Sequence, residues 1–165
     1  MERRELIKIA GAAVLATRVA QAAPRFFTPE EYALADELAE MIVPSDEHSP
    51  GARAAGVAQY IDARLAESLD PEHGQIWRDG LKLVDALSVQ LNGSTFLKST
   101  ARQREKVMDR MSKNEENPEK PEELFFHELK RRTVGAYYSS AIGIHREINY
   151  KGNVPITEFI GTEVK

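Results

Sequence analysis

The chain has 165 residues, 42% hydrophobic and 29% charged, with 22 Lys and Arg against 26 Asp and Glu for a formal charge of −4. That length supports one domain with a modest core and leaves no room for a second, and the acidic balance argues against nucleic acid as a partner. No cysteine is present and none of the ten glycines falls into a dinucleotide fingerprint or a P-loop, which excludes disulfides, iron–sulfur ligation, covalent c-type haem and motif-based binding of FAD, NAD or ATP by these residues.

The first element in chain order is a leader. Arg3, Arg4 and Lys8 make a basic start, residues 9–16 (IAGAAVLA) a short apolar run, and Ala20-Gln21-Ala22 a small-x-small cleavage site, the three parts of an export signal. A membrane-spanning helix needs about 20 apolar residues, and Arg18 and Gln21 interrupt this run too early. Arg3-Arg4-Glu5-Leu6-Ile7-Lys8 resembles a twin-arginine motif rather than a general secretory signal. Residues 1–23 are therefore expected to be a twin-arginine export signal and residues 24–165 the mature, periplasmic domain. That route carries folded cargo, commonly cargo already loaded with a cofactor. A chain with no cofactor motif is then expected to cross together with a cofactor-bearing partner that lacks its own signal. Cleavage would remove four basic residues (Arg3, Arg4, Lys8, Arg18) and two acidic ones (Glu2, Glu5), taking the charge from −4 to −6.

Thr28-Pro29-Glu30-Glu31 has the chemistry of a helix start, with Thr28 as cap and Glu31 closing a capping box. Leu34, Ala35, Leu38, Met41 and Ile42 then recur at helical spacing up to Pro44. A loop over residues 45–56 precedes a short helix marked by Val57, Ile61 and Leu65. Asp70-Pro71-Glu72 opens a third helix whose face carries Trp77, Leu81, Val84, Leu87 and Leu91 until Asn92-Gly93 stops it. Thr100 and Gln103 form another capping box ahead of Val107, Met108 and Met111, and the polar stretch KNEENPEKPEE reads as a solvated loop. The longest helical pattern runs from Pro121 to about Ile144, with Phe125, Phe126, Leu129, Val134, Tyr137 and Tyr138. From Asn149 the periodicity is lost. The expected fold is all-α, one compact domain of about five helices with an extended C-terminal arm.

Catalytic chemistry finds little footing in this pattern. The histidines at 48, 73, 127 and 145 form no metal-type pair, Ser139 and Ser140 lack a nucleophile elbow, and Asp36 with Glu40 reads as a solvated carboxylate pair. No catalytic, cofactor-binding or metal-ligating residue is expected. Turn-rich residues outside the helical stripes, Pro44, Pro50, Gly51, Ala52, Tyr150, Gly152 and Asn153, together with Tyr137 and Tyr138, are the candidate partner interface.

The leader, Phe27-Thr28-Pro29-Glu30-Glu31, Met41-Ile42-Val43-Pro44, Pro50-Gly51-Ala52, the VAQYID stretch over 57–62, Tyr137-Tyr138-Ser139-Ser140 and Tyr150-Lys151-Gly152-Asn153 follow one another in an order and spacing that resembles the gluconate 2-dehydrogenase subunit 3 family. The resemblance implies a non-catalytic small subunit paired with a large FAD-containing dehydrogenase of the glucose-methanol-choline type, often with a cytochrome c subunit as electron acceptor. It also implies that the small subunit supplies the export signal and assists maturation of the flavoprotein. Family members often carry a cysteine after the glycine near the C-terminus, whereas Gly161 is here followed by Thr162, so any complex holds by packing. The rival readings are a stand-alone periplasmic binding or interaction protein and a small histidine-dependent hydrolase.

Overall fold

The computed structural model of the chain describes residues 23–148. The leader residues Arg3, Arg4, Lys8, Ala20 and Ala22, the interface candidates Tyr150, Gly152 and Asn153, and the expected C-terminal arm lie outside the described residues. Within them the fold is all-α: α1 (Pro29–Ile42), α2 (Val57–Ala66), α3 (Pro71–Asn92), a 3₁₀ turn (Phe96–Lys98), α4 (Ala101–Met111), α5 (Pro121–Tyr138) and a π-helical turn (Gly143–Glu147). None of these helices is long and apolar enough to cross a membrane.

The helix starts obey local chemistry. Thr28 Oγ1 accepts the Glu31 amide at 3.2 Å while Glu31 returns a carboxylate oxygen to the Thr28 amide at 2.9 Å, the capping box expected. Asp70 caps the Glu72 amide at 2.9 Å, and the Thr100 amide donates to Gln103 Oε1 at 2.9 Å. α3 stops at Gly93, whose φ of 77° is left-handed backbone that glycine adopts without steric cost.

α5 packs against each of the other four helices and is the centre of the fold. Phe125, Phe126, Leu129, Thr133, Ala136 and Tyr137 supply its buried face. Around them α1 contributes Leu34 and Leu38, α2 Val57, Ile61 and Leu65, α3 Trp77, Leu81 and Val84, and α4 Val107 and Met111. Phe27 and Phe125 both pack against Trp77, ring centroids 5.8 and 5.7 Å away, the first tilted and the second edge-on, so aromatic contacts link Phe27 to the central helix. Trp77 Nε1 and Thr133 Oγ1 are buried without a hydrogen-bond partner among the described residues.

Three expectations are corrected. Leu91 and Tyr138 lie on solvent-facing sides of their helices, and Val134 is only half-buried, because the inward stripe of α5 passes through Thr133 and Ala136 instead. α5 ends at Tyr138 rather than near Ile144. Ser140 Oγ bonds the Tyr137 carbonyl at 2.6 Å and receives the Gly143 amide at 3.0 Å, side-chain bonds that compete with the helical ladder. The longest helix is therefore α3, of 22 residues.

Candidate functional site

The residues singled out as an interface divide sharply by exposure. Tyr137 is buried, and its hydroxyl lies 2.6 Å from Ser49 Oγ and donates to the Pro50 carbonyl at 2.9 Å. Gly51 and Ala52 are buried as well, with the Gly51 amide donating to Ser45 Oγ at 2.7 Å and the Ala52 amide to the Val43 carbonyl at 2.8 Å. Tyr137, Gly51 and Ala52 are thus buried where the loop meets α5 inside the chain. Pro44 is exposed, Pro50 half-buried and Tyr138 exposed.

Acidic side chains tie that loop to its surroundings. Glu40 accepts the Ser45 amide and hydroxyl and the Arg53 amide, and Asp46 accepts the amides of His48 and Ser49 at 2.8 and 2.7 Å. Those two amides hold the Asp46 carboxyl below its ordinary range. The Arg53 guanidinium meets Asp36 and Glu37, and Glu37 also takes Arg104, whose other nitrogens reach the Phe96 and Leu97 carbonyls. Partial burial pushes the Glu37 carboxyl up, but the two guanidiniums outweigh it and hold it low. Asp36 and Glu40, expected to be solvated, are instead the bolts between α1 and the loop after it.

The chain's described start is tied down by a residue that the sequence did not single out. Asp62 on α2 is buried, and its carboxylate accepts three consecutive amides, those of Arg25, Phe26 and Phe27, at 2.7, 3.0 and 2.8 Å. Arg78 reinforces the attachment through the Phe26 carbonyl at 2.8 Å and Glu31 at 2.9 Å, with its guanidinium 4.4 Å from the Phe26 ring centroid. The available signal was an acid on the apolar face of α2, one residue after Ile61 and three before Leu65.

One surface feature is left without an internal role. α3 and α5 run antiparallel, and their outer faces enclose an apolar groove of about 710 Å³. Ile76 and Leu83 on one side and Leu124 on the other form its walls, Gly80 and Phe125 its floor. Ile76 is 47% and Leu124 52% exposed. The floor is shallow because the ring of Phe125 lies across Gly80: a Cβ there would be 2.0 Å from the ring. His73, Asp79, His127, Glu128 and Arg131 form the rim. Burial pushes the Glu128 carboxyl up, but hydrogen bonds from Arg132 and Arg131 outweigh it and keep it low.

His73 and His127 face this groove, whereas His48 and His145 sit exposed elsewhere. Among the described residues no three His, Cys, Asp or Glu side chains gather to hold a metal. What the surface can do is bind: an apolar cleft with a charged rim stands beside a loop and an N-terminal segment already locked by internal hydrogen bonds.

A family profile described as gluconate 2-dehydrogenase subunit 3 matches residues 29–156. No curated protein and no solved structure matches the chain. With well over half of its length matched, the chain belongs to the gluconate 2-dehydrogenase subunit 3 family.

Proposed function

We propose that this chain is the non-catalytic small subunit of a FAD-dependent dehydrogenase complex of the glucose-methanol-choline type, and that it escorts the flavoprotein subunit to the periplasm by the twin-arginine route and assists its maturation. The observation that carries the reading is the family match over residues 29–156, whose description makes the chain one subunit of several. Two features of the sequence support it: the Arg3-Arg4 leader, and the lack of any cysteine or nucleotide-binding glycine pattern with which the chain could hold its own redox group. In this reading FAD and the catalytic groups belong to the large subunit.

The test is to replace Arg3 and Arg4 together by Lys in the full chain and to assay dye-linked dehydrogenase activity in periplasmic and cytoplasmic fractions. The activity should be stranded in the cytoplasm, with the flavoprotein still made. Unchanged periplasmic activity would remove the escort role.

A further inference from the structure

α3 ends on an Asn-Gly pair, and Asn92 is the one asparagine of the chain's five that glycine follows. The side-chain amide carbon of an asparagine is within reach of the next residue's backbone nitrogen, and glycine, with no Cβ, leaves that nitrogen open to attack. Asn117 precedes Pro118, which has no N–H to lose, and the residues after Asn114, Asn149 and Asn153 are Glu, Tyr and Val, whose side chains crowd the approach. The intrinsic chemistry therefore singles out Asn92, and the fold decides how often it reacts. A Cβ placed on Gly93 would meet nothing within 4 Å, so no steric wall opposes ring closure. The restraints are conformational. Asn92 is the last residue of α3, and a helical Cα–Cβ bond tilts toward the helix N-terminus, which turns the amide carbon away from Gly93. Asn92 Nδ2 donates to the Gln103 carbonyl on α4 at 3.1 Å, and the Gly93 amide donates to the Val89 carbonyl at 2.9 Å. Buried hydroxyls pin the turn that follows: Ser88 Oγ donates to the Ser94 carbonyl at 2.9 Å and lies 3.1 Å from Ser99 Oγ, itself 2.9 Å from Ser94 Oγ.

We propose that Asn92 is a modification site of this chain, deamidating through a cyclic imide with Gly93, and that the hydrogen bonds at the α3–α4 joint gate the reaction. The proposal is independent of the accessory-subunit reading. The Gly93 nitrogen bonds to Asn92 Cγ and gives up its proton, the Cγ–Nδ2 bond breaks, and Nδ2 leaves with that proton as ammonia. Water then opens the imide at either carbonyl, leaving aspartate or isoaspartate at position 92. The reaction needs the Gly93 amide to leave Val89 and the Asn92 amide to leave Gln103, so its native rate is set by local opening of the joint. The product has no donor for the Gln103 carbonyl and adds a carboxylate at the negative end of the α3 dipole, so conversion loosens the joint that held it back.

The experiment incubates the full chain in mildly alkaline buffer with and without urea, and follows each asparagine by peptide mass spectrometry alongside released ammonia. In urea Asn92 should convert ahead of the other asparagines, and in native buffer its conversion should be at least about tenfold slower. Ser88→Ala should raise the native rate several-fold and leave the rate in urea unchanged. Gly93→Ala should suppress conversion in urea, where the folding of the variant plays no part. Asn92→Asp should lower Tm by a few degrees, through the lost donor and the added charge. Equal wild-type rates with and without urea, or a native rate that Ser88→Ala leaves unchanged, would overturn the gate. Slower conversion of Asn92 than of another asparagine in urea, or undiminished conversion in Gly93→Ala, would overturn the site itself.

Discussion

Asp62 gathers three consecutive amides, those of residues 25–27, and hydrogen bonds to a charged acceptor contribute about 1.5–3 kcal/mol each before desolvation is charged against them. Asp62→Asn keeps the shape but replaces one of two acceptor oxygens with a donor, which then faces the Arg25, Phe26 or Phe27 amide. The expected loss is about 2–3 kcal/mol by chemical denaturation. Because the segment detaches before the core melts, trypsin should cut after Arg25 markedly faster in the variant at temperatures where the circular dichroism is unchanged. Equal cleavage rates would mean that Arg78 and the Phe27 ring hold the segment without the carboxylate. Asp62 is the last residue of the VAQYID stretch that carried the resemblance, and Tyr137 and Phe27 belong to other such stretches. In the fold these residues are joints between segments distant in sequence. A pattern of residue types shows that they recur, but which amide or hydroxyl meets them is decided by partners 35 to 88 positions away.

At the scale of elements, α3 and α5 approach closely because Gly80 has no Cβ. In an ordinary exposed helix, Gly→Ala gains about 1 kcal/mol of propensity. Here the added methyl would stand 2.0–2.4 Å from three atoms of the Phe125 ring, an overpacking that costs about 1–3 kcal/mol and lies at the upper end because the ring is held by Trp77. Gly80→Ala is expected to lower Tm by roughly 2–6 °C, a net loss of about 1–2 kcal/mol, and a rise in Tm would show that Phe125 turns aside freely. The clamp between α1, the following loop and α4 has a pH signature. Glu37 has a lowered pKa against its ordinary 4.5, so the folded state binds fewer protons than the unfolded one. Its stabilisation is complete above about pH 4.5 and is lost as pH falls through the lowered value. Thermal melts from pH 6 to 3 should show stability falling in that window, and Glu37→Gln should flatten the fall while costing on the order of 1 kcal/mol at neutral pH. A parallel fall in wild type and variant would assign the acid sensitivity to Asp46, Glu123 and Glu128, whose carboxyls are also held low.

At the scale of the whole molecule, the proposed escort role sets the test. The helices enclose a core that reaches back to Phe27, within a few residues of the proposed cleavage site. The double Arg3→Lys, Arg4→Lys replacement tests that link between signal and complex, because it changes no residue of the core.

Composition, capping chemistry and apolar periodicity were enough by themselves to settle an all-α domain, the five helix starts and most inward-facing residues, because those depend on contacts within a few positions. The tertiary structure alone decided the rest. It placed Tyr137 inward against Ser49, turned Asp36 and Glu40 from a solvated pair into loop anchors, ended α5 at Ser139–Ser140, and left Ile76 and Leu124 facing outward. The physical reason is that an apolar stripe carries no label for the surface it will cover. Only when Phe125 settles over Gly80 is it determined which stripe is core and which remains in water.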